Sequence, residues 1–222
     1  MKILIVDNNL HIQLYPQSFL VRSCLGARCL GNVKISRPTE LSDRDICVDR
    51  VILTGSTSFM RQEKGWMKKE REFIEKWMDR GVPILGICFG AQLLVRHIFG
   101  KEAIVALPFP INGSVLVEHE KDSPLFKGVP NPFGAVSIHY EGVVVPEKYV
   151  IAKMPDWPCY GFSYPGNVYG IQFHPELSGN LGRLLVRLQR YLYDRNVYQD
   201  FSVKTSTGYG NRIVKNFITS SL

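Results

Sequence analysis

The sequence predicts an α/β fold, and two observations carry this prediction. Short apolar runs that are typical of buried strands alternate with longer amphipathic runs that are typical of helices, as an α/β architecture requires. The chain has 222 residues, of which 45% are hydrophobic, so it can bury a sizeable core in one domain. Because no repeat, low-complexity tract or linker divides it, we expect residues 1–222 to form a single domain.

The first strands and the first helix follow one another closely. Lys2–Val6 contains the apolar run Ile-Leu-Ile-Val and is expected to form a buried strand. A helix is predicted over Pro16–Leu25, after a turn at Asn8-Asn9. Asn32–Ile35 and Arg50–Leu53 are predicted to be the second and third strands.

The pattern changes along the middle of the chain. Glu63–Arg80 is the clearest helix, because its bulky apolar side chains recur on one face with a helical period. These side chains are Trp66, Phe73 and Trp77, flanked by Met67, Ile74 and Met78. We expect them to pack in the core rather than to form a cofactor site. Between Ala103 and Gly170, short apolar stretches alternate with Pro and Gly, which indicates an antiparallel extension of the sheet.

A single cysteine stands at a predicted junction between a strand and a helix. The apolar run Val82–Leu85 leads into Gly86-Ile87-Cys88-Phe89-Gly90, and Ala91–Phe99 is predicted to be helical. This is the pattern of a nucleophile elbow, in which a tight turn between small residues holds a reactive side chain above the end of the sheet. The positive end of the helix favours a thiolate there. The alternative is a structural cysteine beside two glycines that let a helix pack closely.

A histidine and a glutamate downstream supply the other half of a nucleophilic site. They follow an apolar run that is predicted to be a strand, in the segment Gly170-Ile171-Gln172-Phe173-His174-Pro175-Glu176. Residues i and i+2 of an extended chain project to the same side, so the side chains of His174 and Glu176 are expected to lie together. A base oriented by a carboxylate activates a nucleophile. Taken separately, His174 could be a satisfied histidine at a strand end, and Glu176 a charge at a helix N-terminus.

Taken together, these motifs resemble those of the triad-type, class I glutamine amidotransferases. That family carries a G-x-C-x-G-x-Q elbow and a late H-P-E, which correspond here to Gly86–Gln92 and His174–Glu176. The resemblance extends from the first strand to Gly208–Phe217, which is similar to the closing helix of the family. It implies an α/β fold with an open, mostly parallel sheet and helices on both faces, to which the middle of the chain would add a small antiparallel extension.

The resemblance also implies roles for individual residues. The proposed catalytic triad consists of Cys88 as nucleophile, His174 as the group that transfers protons, and Glu176 as the carboxylate that orients it. Substrate contacts and the oxyanion hole would come from Gly55, Ser56, Phe89, Gln92, Ile138 and His139. The implied reaction is hydrolysis of the side-chain amide of L-glutamine.

Two segments depart from the family pattern around the substrate. After the third strand, the family usually has a Gly-Gly-Pro or Pro-Gly-Pro turn whose backbone N–H helps to hold the oxyanion. Here the second glycine is replaced by Ser56, which resists a positive φ, so a weaker oxyanion hole is expected if the turn requires one. The segment Val136–Glu141 resembles the S-H-x-D motif of the family, with Ile138 in place of the serine and Glu141 in place of the aspartate.

A third departure follows the H-P-E motif, where Leu177–Lys204 intervenes before the closing helix. Part of this insert, at about 177–204, is predicted to be an extra helix. Its apolar stripe consists of Leu181, Leu184, Leu185, Leu188 and Leu192. Its opposite face carries Arg183, Arg187 and Arg190. These arginines are either a solvated surface or, given the net charge of +7, part of a docking surface for an acidic partner or a phosphate-bearing substrate.

Composition limits the remaining possibilities. Five cysteines without disulfide-framework spacing indicate a reducing cytoplasm, and Cys24 and Cys29 lack a second close pair that would complete a zinc site. The N-terminus lacks a signal-peptide h-region, and no run approaches the roughly 18 apolar residues of a membrane span. No zinc finger, RNP motif or other nucleic-acid reader is recognised. We therefore expect no metal, cofactor, membrane or sequence-specific nucleic acid as a partner.

The predicted function is that of a glutaminase subunit. Because the chain has no P-loop and no room for a synthetase domain, its ammonia would pass to a separate, ATP-using synthetase subunit. One alternative is a stand-alone γ-glutamyl hydrolase, which would use the same triad on γ-glutamyl amides or peptides. A second alternative is a catalytically weak, glutaminase-like module that only binds a partner.

Overall fold

The structure is a computed structural model that describes residues 1–10, 17–26, 30–155, 157–192 and 202–219. The strands in these ranges are β1 (Ile3–Val6), β2 (Val33–Ser36), β3 (Arg50–Leu53), β4 (Ile84–Ile87), β5 (Ile104–His119), β6 (Phe133–Val143), β7 (Val150–Met154), β8 (Trp157–Tyr164) and β9 (Val168–Ile171). The α-helices are α1 (Gln17–Cys24), α2 (Gly65–Asp79), α3 (Phe89–Phe99), α4 (Gly179–Leu192) and α5 (Thr207–Thr219). Pro16, with which the first predicted helix begins, lies outside the described residues.

The strands form one mixed sheet in the order β2-β1-β3-β4-β9-β8-β7-β5-β6. The first five of these strands are parallel to one another. The other neighbouring pairs are antiparallel. This arrangement confirms the predicted α/β class, with β5 to β8 as the antiparallel extension.

Helices cover both faces of the parallel part of the sheet. Ile3 and Ile5 of β1 belong to a buried cluster that includes residues of α1 and α5. Leu4 and Val6 belong to a second buried cluster, with residues of α2 and α3. Successive strand residues point to opposite faces, so a strand that is buried on both faces is apolar throughout. The aromatic face of α2 is part of the second cluster, as predicted, and its Trp77 is fully buried.

Part of the segment at about 177–204 is helical, as α4, which packs on β5 and β6. Leu185 is buried, but Leu184 is 53% exposed, so the predicted apolar stripe is not buried along its whole width. Val186, which is fully buried, lies on the buried face instead. A helix turns by about 100° per residue, so residues 184 and 186 lie on opposite flanks of Leu185, and the sheet is on the Val186 side.

The outer face of α4 carries Arg183 and Arg187, both of which are exposed. The side chains of residues 189–192, including Arg190 and Leu192, and the whole of residues 193–201 lie outside the described part of the chain. None of the helices in the described ranges is both long and apolar enough to span a lipid bilayer.

The parallel strands direct several segments to one edge of the sheet. Their carboxyl ends meet at the same edge, where open α/β sheets form their ligand sites. The segments that follow β1, β3, β4 and β9 carry Gln17, Gly55, Cys88 and His174, respectively. The fold thus collects residues from distant parts of the sequence at one place.

Candidate active site

Cys88 occupies a strained turn between β4 and α3. Its φ and ψ are 53° and −106°, and the residue is 5% exposed. A positive φ is uncommon for a residue with a Cβ and marks a nucleophile elbow here. A Cβ on Gly86 would lie 2.6 Å from the backbone of Gly90, and one on Gly90 would collide with the carbonyl oxygen of Leu53. Both glycines are therefore needed for the strand, the turn and the helix to pack this closely.

His174 and Glu176 form a buried, hydrogen-bonded pair. The Nδ1–H of His174 donates to Oε1 of Glu176 at 2.8 Å, and the two residues are 4% and 6% exposed. The backbone N–H of His174 donates to the carbonyl oxygen of Val136 at 2.8 Å, which attaches this segment to β6. The side chains lie together as predicted, but the reason differs. The chain turns here, with the N–H of Leu177 donating to the carbonyl oxygen of His174 at 3.3 Å.

The surroundings of His174 stabilise its cationic form. Burial by itself would lower the pKa of His174, but the charges of Glu176 and Cys88 outweigh burial and raise this pKa well above its ordinary value of 6.5. Because the Nδ1 of His174 is hydrogen-bonded to Glu176, the Nε2 of His174 is the ring nitrogen that forms the hydrogen bond with Cys88. An imidazolium in this position favours a cysteine thiolate.

The thiol of Cys88 also faces β6. Its Sγ lies 3.7 Å from the carbonyl oxygen of Ile138, to which it donates a weak hydrogen bond only when the sulfur is protonated. The structure therefore places the backbone of Ile138 beside Cys88.

The turn at Gly55 and Ser56 follows β3, whose last residue, Leu53, lies against Gly90 of the elbow. Among the described non-glycine residues, a positive φ occurs at Cys88 and Asn167 only, so the turn does not require one at Ser56. The Oγ of Ser56 accepts a hydrogen bond from the N–H of Ser58 at 3.1 Å, which stabilises the turn. Ser56 therefore carries no strain of this kind. Phe89 is the first residue of α3, so its N–H has no acceptor within the helix.

Glu141 connects the elements that surround this turn. Its carboxylate, which is 3% exposed, accepts hydrogen bonds from the backbone N–H groups of Met60 and Arg61 at 2.6 and 3.2 Å. Its carbonyl oxygen accepts one from the Nε2 of Gln92 at 2.7 Å. The glutamate that replaces the aspartate of the family therefore attaches the loop after β3 to β6 and α3.

The side chain of His139 points into the interior. Its Nδ1–H donates to the carbonyl oxygen of Glu141 at 3.0 Å, and its Nε2 accepts a hydrogen bond from the hydroxyl of Tyr160 at 3.0 Å. Burial lowers the pKa of His139 to about 4, so the ring is neutral at neutral pH. Any contact of His139 with a substrate would come from its backbone.

Sequence reasoning missed one residue of this site, Gln17. Its Nε2 donates to Oε1 of Glu176 at 2.8 Å, and its carboxamide lies against Gly55. The sequence pattern assigns Gln17 only to a helix. Its position after β1, at the edge of the sheet where the other site residues lie, is the signal that could have found it. Among the described residues, no cluster of three or more His, Cys, Asp or Glu side chains could hold a metal ion.

Comparison with known proteins agrees with the family that the sequence motifs resemble. The family model for "Glutamine amidotransferase class-I" matches residues 23–186. The "Imidazole glycerol phosphate synthase subunit HisH" of Symbiobacterium thermophilum is 37% identical over 134 residues, which are 51% of this chain and 62% of that protein. The protein of the same name from Methanocaldococcus jannaschii is 30% identical over 168 residues, which are 67% of this chain and 83% of that protein.

A solved structure resembles the whole chain in fold. It is that of a glutamine amido transferase from Methylobacillus flagellatus, with a TM-score of 0.74, 14% identity, and coverage of 98% of this chain and 94% of that one. The chain spans less than two thirds of the Symbiobacterium protein, at 62% of its length.

Proposed function

The chain belongs to the class-I glutamine amidotransferase family, and we propose that it hydrolyses the side-chain amide of glutamine and supplies the ammonia to a separate synthetase. The observation that carries this proposal is the arrangement of Cys88, His174 and Glu176. A cysteine in a strained turn, a histidine and a buried carboxylate that accepts the hydrogen bond of this histidine lie together at the edge of the sheet where the parallel strands end, and this arrangement supports the roles of nucleophile, base and orienting group.

In the first step, the Cys88 thiolate attacks the carboxamide carbon of glutamine. The negative charge that develops on the carboxamide oxygen is held by the backbone N–H of Phe89 and by the backbone near Gly55 and Ser56. The imidazolium of His174 donates its Nε2 proton to the departing nitrogen, which leaves as ammonia. The product on the enzyme is a γ-glutamyl thioester at Cys88.

In the second step, neutral His174 accepts a proton from a water molecule, and the resulting hydroxide attacks the thioester carbonyl. The carbon–sulfur bond breaks, glutamate leaves, and the Cys88 thiolate and the His174 imidazolium are restored. The hydrogen bond from Nδ1–H to Glu176 keeps the ring in one tautomer and stabilises its positive charge in both steps.

The partner is proposed to be an ATP-using synthetase subunit. The sequence contains no P-loop, and the names of the two aligned relatives describe subunits of a synthase. A reducing compartment such as the cytoplasm is proposed because the sulfur of Cys88 must stay reduced in order to act as a nucleophile. Cys24, Cys47, Cys88 and Cys159 are free, whereas Cys29 lies outside the described residues.

The proposal is tested with the purified chain, L-glutamine and a γ-glutamyl peptide as separate substrates. Ammonia release from glutamine that is abolished by Cys88→Ala would support the glutaminase. A diazo-ketone analogue of glutamine is expected to label Cys88 and to spare the other four cysteines. Strong preference for the γ-glutamyl peptide would support the stand-alone hydrolase instead. The absence of turnover on both substrates, with and without a co-purifying synthetase, would support a partner-binding module.

A further inference from the structure

Gln17 forms a hydrogen bond with Glu176 of the proposed triad, although the proposed reaction steps do not use Gln17. It is the first residue of α1 and is 2% exposed. Its Nε2 donates to Oε1 of Glu176 at 2.8 Å, and the same oxygen accepts the Nδ1–H of His174 at 2.8 Å. Because Nδ1 carries that proton, the 3.2 Å approach of Gln17 Nε2 to His174 Nδ1 is not a hydrogen bond. Two N–H donors therefore converge on one carboxylate oxygen.

The same carboxamide also lies against the turn that follows β3. A Cβ on Gly55 would lie 2.7 Å from the Nε2 of Gln17 and 3.1 Å from its Oε1, so the glycine makes room for this side chain. The residue before the turn is held by Asn8, whose backbone and side-chain N–H groups donate to Thr54 at 3.0 and 3.1 Å. Gln17 thus packs between the triad carboxylate and the backbone that is proposed to face the oxyanion.

A buried carboxylate needs hydrogen-bond donors to keep its charge and its orientation. Within the described residues, Oε2 of Glu176 has no hydrogen-bond partner, so the donors from His174 and Gln17 both act on Oε1. Without the amide of Gln17, the carboxylate of Glu176 would keep the hydrogen bond from His174. His174 is the group that this carboxylate orients, so it cannot also fix the position of the carboxylate. The carboxylate could then rotate away from the productive geometry.

We propose that Gln17 is a positioning residue that holds Glu176 against His174 and couples this carboxylate to the Gly55 turn. The inference rests on the proposed glutaminase chemistry, since it assigns Gln17 a role in orienting that triad. Because Gln17 acts through Glu176 and the turn, its loss should lower kcat and leave KM nearly unchanged.

The first experiment uses Gln17→Met, which keeps the length and volume of the side chain but removes the donor. We expect kcat for L-glutamine to fall about ten- to a hundredfold, as for the loss of a hydrogen bond to a charged group. KM is expected to change by less than about threefold. A kcat within twofold of the unmodified chain would overturn the proposal.

Asn216→Leu is the matched control. The side-chain amide of Asn216, on α5, donates to the carbonyl oxygens of Leu125 and Lys127, both at 2.9 Å. Its removal deletes carboxamide donors of the same kind between α5 and the segment before β6. We expect a lower melting temperature with unchanged kcat. If both variants lose kcat in proportion to their melting temperatures, Gln17 is structural and the proposal fails.

A double-mutant cycle tests the coupling to the turn. The Cβ of Gly55→Ala is expected to push the Gln17 carboxamide away from Glu176 and so to lower kcat. In the Gln17→Ala background the collision partner is gone, and the same Gly55→Ala change should have a much smaller effect. Equal effects of Gly55→Ala in the two backgrounds would show that the two sites are independent and would refute the coupling.

A titration separates this inference from the proposed function. The groups that act on His174 are Glu176 and Cys88, while His139 nearby is neutral at neutral pH. Gln17→Lys would place an ammonium group, which Glu176 keeps charged, beside Nδ1, so the NMR-measured pKa of His174 should fall by about one unit or more. The signal is assigned by its loss in His174→Asn. An unchanged pKa would refute the contact even if the chain hydrolysed glutamine. Conversely, a lowered pKa in a chain without turnover would support the contact and reject the glutaminase.

Discussion

Glu70 is a carboxyl group buried in the core, and none of the salt bridges in the described part of the chain includes it. It lies on α2 and is fully buried. Neither of its carboxyl oxygens forms a hydrogen bond of normal geometry within the described residues. Burial raises its pKa from 4.5 to about 8, and the nearby side chain of Asn8 offsets part of this effect. Glu70 is therefore protonated in the folded chain at neutral pH, whereas it is ionised in the unfolded chain.

This difference makes the free energy of unfolding depend on pH in a defined direction. The folded-state pKa is raised, so the destabilising effect is absent below the ordinary pKa of 4.5, grows as the pH rises, and is complete above about 8. Each pH unit between these limits lowers the free energy of unfolding by about 1.4 kcal/mol. Between pH 5 and pH 7, Glu70 is expected to lower the free energy of unfolding by about 2.5 kcal/mol.

Glu70→Gln removes this ionisation and keeps the shape of the side chain. The free energy of unfolding is measured by urea denaturation at pH 5 and at pH 7, with tryptophan fluorescence as the signal. The stability of the variant relative to the unmodified chain should rise by about 2.5 kcal/mol from pH 5 to pH 7. The comparison subtracts the effect of the substitution at pH 5 from its effect at pH 7, so any pH-independent effect of burying an amide cancels.

Glu72→Gln, on the exposed side of the same helix, is the matched control, because it removes a carboxyl group that is not buried in the core. If the relative stability of Glu70→Gln is the same at both pH values, burial does not raise the pKa of Glu70 and the reasoning is wrong.

Further predictions concern the site and the surface. His174→Ala should lower kcat/KM for glutamine by about 10² to 10⁴, and by more than Glu176→Gln, because the imidazole transfers protons and the carboxylate orients it; the reverse order would assign the proton transfer to another group. Exchanging the exposed Arg183 and Arg187 for glutamate should weaken stimulation by a synthetase, most strongly at low salt, and leave basal ammonia release unchanged; stimulation that is insensitive to both changes would place the docking surface elsewhere. Gly90→Ala should destabilise the chain by about 1 to 3 kcal/mol in urea denaturation, because its Cβ would collide with the end of β3; an unchanged midpoint would contradict the packing at the elbow.

Much of the fold could be predicted from local patterns. The apolar run of β1 indicates a buried strand, and the structure places its alternate residues in two separate clusters. The period of α2 indicates which of its side chains lie in the core. The elbow around Cys88 was recognisable because its glycines follow from a close approach of backbone within a few residues. In each case the signal and the structure that it specifies lie within one segment.

The face of α4 could not be predicted in the same way. Leu184 and Val186 are both apolar, and the helix alone does not decide which of them faces the sheet. Likewise, His174 and Glu176 were expected to meet because the chain is extended, but they meet across a turn. A short apolar or Pro-containing segment is compatible with more than one local geometry, and tertiary packing selects among them.

The sequence by itself determined the α/β class, the cysteine in its tight turn between β4 and α3, and the pairing of a histidine with a carboxylate. Only the tertiary structure showed that Gln17 reaches Glu176, from which it is separated by 159 residues, and that Glu141 ties the loop after β3 to its neighbours. The physical reason is that residue periodicity and turn chemistry act over a few neighbouring residues. Contacts between segments depend on strand order, and parallel strands bring the ends of distant segments to one edge of the sheet.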